Sequence, residues 1–301
     1  MENVCLLIGN GFTLDFCLPH GLHSSKPLRT FNTSEISYTA FLDKLPSIQQ
    51  ELYPFAKNTD DYDAIERFLQ KNRGNIEKEC ELRRFFALAY SLFQLTAENY
   101  NMKGWRWADW LQKNREKIIC AVSFNYDCIL ERALSLANIP FHRVGTTEPR
   151  RGIPILKPHG SIDFDVEVNG HSAEKRWGIT KGLSDTDQLE IVPKTDWMKP
   201  RMEANIIPPS IYNIQLKLSW VNAMYNIFDY VTTKRNDIDN FIMVGHSYAE
   251  MDRPEVNFFL ERLNKGTNVY IINPNPNETL IEKVHALHLP LKQPNREGMP
   301  W

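Results

Sequence analysis

Ser123-Phe124-Asn125-Tyr126-Asp127 follows the apolar run Lys117-Ile118-Ile119-Cys120-Ala121-Val122 and precedes Cys128 to Asn138, where Leu130, Ala133, Leu134 and Ala137 recur at helical spacing. The apolar run reads as a buried strand and the later segment as a helix. The polar residues between them therefore occupy a strand-to-helix turn. In an open α/β sheet such a turn lies at the carboxyl end of a strand, where ligands bind. The helix N-terminus adds free N–H groups and a partial positive charge. Taken alone, Asn125 reads equally well as a helix cap. What separates the two readings is whether other strands end in the same way.

They do. Val4-Cys5-Leu6-Leu7-Ile8 reads as a buried strand ending in Gly9-Asn10-Gly11-Phe12. Glycines there allow a backbone to approach a phosphate closely, although Leu14 stands where G-x-G-x-x-G has its third glycine. A tight turn without a ligand is the alternative. Phe141–Val144 and Ile153–Leu156 read as short strands, the second leading into Lys157-Pro158-His159-Gly160. Phe241–Val244 leads into Gly245-His246-Ser247, and Val269–Ile272 into Asn273-Pro274. Asp252 with Glu255 reads as a variant capping box for a helix carrying Val256, Phe259, Leu260 and Leu263. Pro276 falls in the first turn of a last helix. Strands alternating with helices across short loops predict a Rossmann-like parallel sheet flanked by helices.

The expected layout is one domain over 1–301 with a helical insertion at 34–116 after the first strand, and a second, smaller insertion or helical subdomain at 164–235. Within 34–116, helical spacing covers Tyr62–Asn72 and Glu77–Glu98; within 164–235 it covers Ile211–Thr233. The first insertion is rich in aromatics: Phe85, Phe86, Phe93, Trp105, Trp107 and Trp110. Either they all pack onto the sheet, or some stay exposed as a contact patch for a second copy or a partner protein.

Bulk numbers bound the function. The 301 residues are 42% hydrophobic and 24% charged, with a formal charge of −2, so nothing favours wrapping nucleic acid or lying on an anionic membrane. No apolar run is long enough to span a bilayer, and Met1-Glu2-Asn3 does not open a signal peptide. Cys5, Cys17, Cys80, Cys120 and Cys128 form no C-x-x-C pair and read as reduced core thiols of a cytoplasmic protein. No spacing predicts a metal site.

In a parallel sheet these strand ends share one edge, so their motifs converge. The ordered set resembles the sirtuin-like NAD-binding superfamily. Gly9-Asn10-Gly11-Phe12 resembles its glycine-rich phosphate loop, Asn125 and Asp127 its N-x-D motif, and His159-Gly160 its H-G. Gly245 and Ser247 resemble its G-x-S loop, and Ile272-Asn273 its I-N facing the adenosine half of NAD. The stretch Gly9–Phe12 with Leu18-Pro19, together with Gly245-His246-Ser247 and Asp252, is most similar to AbiH-type abortive-infection proteins and bacterial defence sirtuins. The four-cysteine zinc module of the deacetylases is missing.

The resemblance implies cleavage of the nicotinamide–ribose bond of NAD in antiphage defence, with NAD as substrate and no metal. It implies Asn125 and His159 as the catalytic pair, and Gly9, Asn10, Gly11, Phe12, Asp127, Gly245, His246, Ser247 and Asn273 as NAD-binding residues. His246 either lines the adenosine pocket or caps the next helix. A loop histidine bonded to backbone is the alternative for His159. Two other functions stay open: a non-catalytic module sensing NAD, ADP-ribose or another nucleotide, and an AbiH-type enzyme acting on a different nucleotide. A homo-oligomer or a defence-operon partner is expected to control activity.

Overall fold

The computed structural model describes residues 2–24, 43–56, 61–167, 173–210, 213–234 and 238–301. The opening of the predicted 34–116 insertion, up to residue 42, lies outside the described residues, as do residues 57–60, 168–172, 211–212 and 235–237.

Strands β1 (Val4–Ile8), β2 (Ile118–Ser123), β3 (Phe141–Arg143), β4 (Ile153–Leu156), β7 (Asn240–Val244), β8 (Asn268–Ile272) and β9 (Leu291–Lys292) form one sheet in the order β3-β4-β2-β1-β7-β8-β9. Every pairing in it is parallel. A separate antiparallel pair joins β5 (Phe164–Asp165) to β6 (Glu190–Ile191). Sequence reasoning missed β9 because its two residues sit in a polar, proline-flanked tail.

All residues of β1 are buried, as a parallel sheet covered on both faces requires. Alternate residues face opposite cores. Val4, Leu6 and Ile8 point towards α1 (Asn10–Cys17), α2 (Asp61–Asn72), α3 (Ile76–Ala97), α4 (Arg106–Asn114) and α5 (Ile129–Leu136). Cys5 and Leu7 point towards α6 (Ser219–Asp229), α7 (Arg253–Glu261) and α8 (Glu278–Ala286). The helix after β1 and the helix after β7 thus lie on opposite faces. Strand order also reverses around β1, so the crevice at the carboxyl ends of β1 and β7 is the topological switch point.

The aromatics of α3 and α4 are core. Phe85, Phe86, Phe93, Trp107 and Trp110 are buried, and Trp105 is partly so. Phe12 of α1 meets Trp105 edge-on at 4.9 Å, and Phe86 stacks on Tyr126 at 5.8 Å. The idea of an exposed aromatic patch is therefore corrected for these residues. Each such ring gains about 1.5–3 kcal/mol by burial, and the sheet face beneath offers enough surface to take them.

Three helix starts differ from expectation. Helix α6 begins only at Ser219, whose N–H bonds Asp185 Oδ1 at 2.7 Å, after an extended Leu218. Helix α8 is capped by Asn277, which accepts from the Thr279 N–H, with Pro276 outside it. The capping box of Asp252 and Glu255 does not form: Asp252 makes no side-chain cap bond. Both carboxylates turn instead towards histidines. All five cysteines are buried and unbridged. No helix among the described residues is long and apolar enough to cross a membrane.

Candidate functional site

The loop leaving β1 is shaped by contact with the loop leaving β7. A Cβ on Gly9 would lie 2.6 Å from the His246 Cα, and one on Gly11 2.6 Å from the Gly245 Cα. Gly245 has φ +61, and its Cβ would meet the Phe12 nitrogen at 2.4 Å. Only glycine fits at these three positions. The Gly9 N–H donates to the Val244 carbonyl at 2.9 Å, Gly11 N–H to Gly245 at 2.8 Å, and Phe12 N–H to Gly9 at 3.0 Å. The expected phosphate cradle is corrected on this point. These three N–H groups are already engaged by protein carbonyls, and the glycines serve first to seat one backbone on another.

The remaining predicted nucleotide contacts are divided. The Phe12 ring points into the core, away from the edge. Asn10 Oδ1 accepts from the Ser24 hydroxyl. Asn273 Nδ2 donates to the His246 carbonyl at 3.2 Å, and Asn277 Nδ2 donates to the Ser247 carbonyl at 3.3 Å, so both asparagines steady the Gly245-His246-Ser247 loop. Ser247 itself is exposed.

The turn after β2 is tied to α1. Asn125 Nδ2 donates to the Gly9 carbonyl at 3.1 Å and to the Thr13 hydroxyl at 3.0 Å. Thr13 donates to Asp127 Oδ2 at 2.8 Å, and the Ile129 N–H donates to Asp127 Oδ1 at 3.0 Å. Asp127, not Asn125, thus accepts the first N–H of α5, from one residue before the Cys128 N-cap, and both its oxygens are engaged. Burial pushes the Asp127 carboxyl up from its ordinary value, against the pull of Lys157. Lys157 is fully buried, with Nζ on the Asp127 carbonyl at 2.6 Å and on Glu131 Oε1 at 2.8 Å.

His159 follows β4. Gly160 has φ +79, and a Cβ there would lie 1.9 Å from the Asn205 carbonyl oxygen. That close approach explains why the histidine is followed by glycine. The Ile207 N–H donates to the His159 carbonyl at 2.9 Å, which pins the turn. The His159 ring meets Phe124 edge-on at 4.9 Å, and His246 meets the same Phe124 ring at 4.9 Å. His159 and His246 thereby share one phenylalanine ring, while the Asn125 side chain turns to Gly9 and Thr13 on the α1 side. His159 and Asn125 are 3% and 8% exposed.

Glu255 was not expected here, and it sets the chemistry. His159 Nε2 lies 2.7 Å from Glu255 Oε2, while the Tyr225 hydroxyl donates to Glu255 Oε1 at 2.8 Å. Burial alone would lower the His159 pKa, but the Glu255 charge and hydrogen bond outweigh it and raise it. His246 goes the other way. Its Nδ1 accepts the Tyr248 N–H at 2.9 Å, and burial, with the neighbouring His159, pushes it down to about 3. Asp252 lies 3.7 Å from His246 Nε2, and burial raises its carboxyl.

His159, Asp252 and Glu255 offer ligand atoms within 4.8 Å of one another. Two donors on one tetrahedral zinc sit about 3.3 Å apart, given bonds near 2.0–2.1 Å. The 2.7 Å contact of His159 with Glu255 is shorter. As arranged it is a hydrogen bond, which an ion held by these three groups would replace. Two cavities among the described residues lie elsewhere. One of about 320 Å³ borders Cys128, Glu131, Arg143 and Asp163; one of about 500 Å³ borders Ile118, Ile153 and Tyr230.

No protein-family model matches this chain, and no curated protein does.

Proposed function

We propose that this chain is an NAD hydrolase that cleaves the nicotinamide–ribose bond in antiphage defence, with Asn125 and His159 as its reacting pair. The observation that carries this reading is the meeting of His159 with the Phe124 ring, next in sequence to Asn125, at the carboxyl edge beside the switch point. The order of the motifs, which resembles that of the sirtuin-like superfamily, supports it.

The nicotinamide ring nitrogen of NAD is already cationic and becomes neutral on leaving, so no strong acid is needed. The transition state has oxocarbenium character. His159 accepts a proton from a ribose hydroxyl or from the attacking water. Asn125 positions that group, with its own amide held in place through Nδ2 by the Gly9 carbonyl and the Thr13 hydroxyl. Both side chains are nearly covered, so turnover needs a second, opened geometry, and its population limits the rate. Such gating suits an activity that would otherwise drain its own cell. On this reading the protein works in the cytoplasm, and a second copy or a defence-operon partner drives the opening.

The same burial favours one other reading, a module that holds NAD or ADP-ribose as a signal without hydrolysing it. Incubating pure protein with NAD separates the two. Free nicotinamide supports hydrolysis; saturable NAD binding without nicotinamide supports the sensor.

A further inference from the structure

Glu255 sits on α7, across the switch point from β4, yet its carboxylate reaches the ring of His159. It is 1% exposed and divides its two oxygens between His159 Nε2 and the Tyr225 hydroxyl. A carboxylate so buried needs donors on both sides, and here it has them. The ring nitrogens of His159 are therefore not equivalent. Nε2 is taken by Glu255. The Glu255 contact is made at Nε2 and not at Nδ1.

We infer that Glu255 is the positioning residue of the site: with Tyr225 behind it, it holds His159 as the Nε2–H tautomer and leaves Nδ1 as the proton acceptor. The inference deepens the proposed hydrolase and rests on His159 being its base. In the reaction, the oxygen of water bonds the ribose anomeric carbon as the carbon–nitrogen bond to nicotinamide breaks. The electron pair of that bond leaves with nicotinamide, which becomes neutral. One proton of the water goes to His159 Nδ1 and later to solvent, so NAD and water yield ADP-ribose, nicotinamide and a proton. Throughout, Nε2–H stays on Glu255, whose charge stabilises the imidazolium that forms. The other ionisable groups facing this ring are Asp252, at the start of α7, and His246, in the loop after β7. Asp252 carries the same sign as Glu255, and His246 stays neutral because burial keeps it so.

The test uses the full chain with ¹⁵N-labelled histidine, and Glu255→Gln. Long-range nitrogen–proton spectra should show His159 as the Nε2–H tautomer when neutral. Its midpoint should fall by about 1–3 pH units in Glu255→Gln, the effect of removing one close opposite charge. For NAD turnover, the acid limb of the kcat profile should move to lower pH. The plateau should drop by less than the roughly 10²–10⁴-fold that a general base supplies, with KM little changed. Should Glu255→Gln fail to fold, Tyr225→Phe serves. It frees one carboxylate oxygen, so the His159 midpoint should rise. An Nδ1–H tautomer, or a His159 midpoint that ignores either change, overturns the inference. If wild-type protein shows no turnover, the hydrolase reading fails while the spectra still decide the role of Glu255.

Discussion

Asn125 Nδ2 donates to the Thr13 hydroxyl at 3.0 Å, and that hydroxyl donates in turn to Asp127 Oδ2 at 2.8 Å. The turn after β2 and the helix after β1 are thus one hydrogen-bonded unit. Asn125→Ala removes two buried contacts and should lower stability by about 1–3 kcal/mol, read as a shifted urea midpoint. NAD cleavage should be largely lost, and lost also in His159→Ala. The double variant should lose little more, because groups acting as a unit are not additive. Near-normal turnover by both folded single variants contradicts the pairing.

Gly245→Ala and Gly160→Ala should each be destabilised by about 2–5 kcal/mol, from 1–2 for a left-handed backbone and 1–3 for overpacking. Gly104 is the control: its φ is +82, but nothing lies within 4 Å of its would-be Cβ. Gly104→Ala should show only the left-handed part. Equal losses at Gly104 and Gly245, measured by denaturant unfolding, would mean that the loops after β1 and β7 are not in backbone contact.

His246 and His159 give stability opposite pH dependences. His246 is held near 3 by burial, so only the unfolded chain takes up its proton below pH 6.5. Stability from His246 is full above 6.5 and is lost as pH falls towards 3, by about 1.4 kcal/mol per pH unit. His159 is raised, so its contribution is full below 6.5 and is lost as pH climbs through its folded value. The gap in stability between wild type and His246→Asn should therefore narrow steadily from pH 6.5 to 4. A constant gap would show that His246 is protonated in the fold.

The fold was legible because β1, β2, β7 and β8 are apolar runs leading into turns that carry glycine or asparagine. Buried parallel strands read that way whatever surrounds them. That the turns carrying Asn125, His159 and His246 share one edge was legible for the same reason, since parallel strands put their carboxyl ends together. Glu255 was not. Its position three residues after Asp252 fits a capping box, and only the approach of α7 to β4 shows that its carboxylate serves His159 instead. The glycines were read as a phosphate loop, but Gly245 lies far from Gly9 and Gly11 in sequence, and contact between them needs the strand order. Lys157 was passed over because a lysine in a polar stretch carries no sign that its Nζ will be buried on Glu131.

Zinc should be absent in stoichiometric amount by elemental analysis, and chelation should leave the thermal midpoint unchanged, because the chain carries neither C-x-x-C nor H-E-x-x-H spacing. One zinc per chain, lost on substituting His159 or Asp252, contradicts this.

The most direct test of the hydrolase is the release of nicotinamide from NAD by the purified full chain, taken from phage-infected and from uninfected cells. Nicotinamide and ADP-ribose should appear in equal amounts, faster with protein from infected cells, and should all but vanish for Asn125→Ala and for His159→Ala. No nicotinamide from either preparation, or unchanged release by both variants, would contradict it.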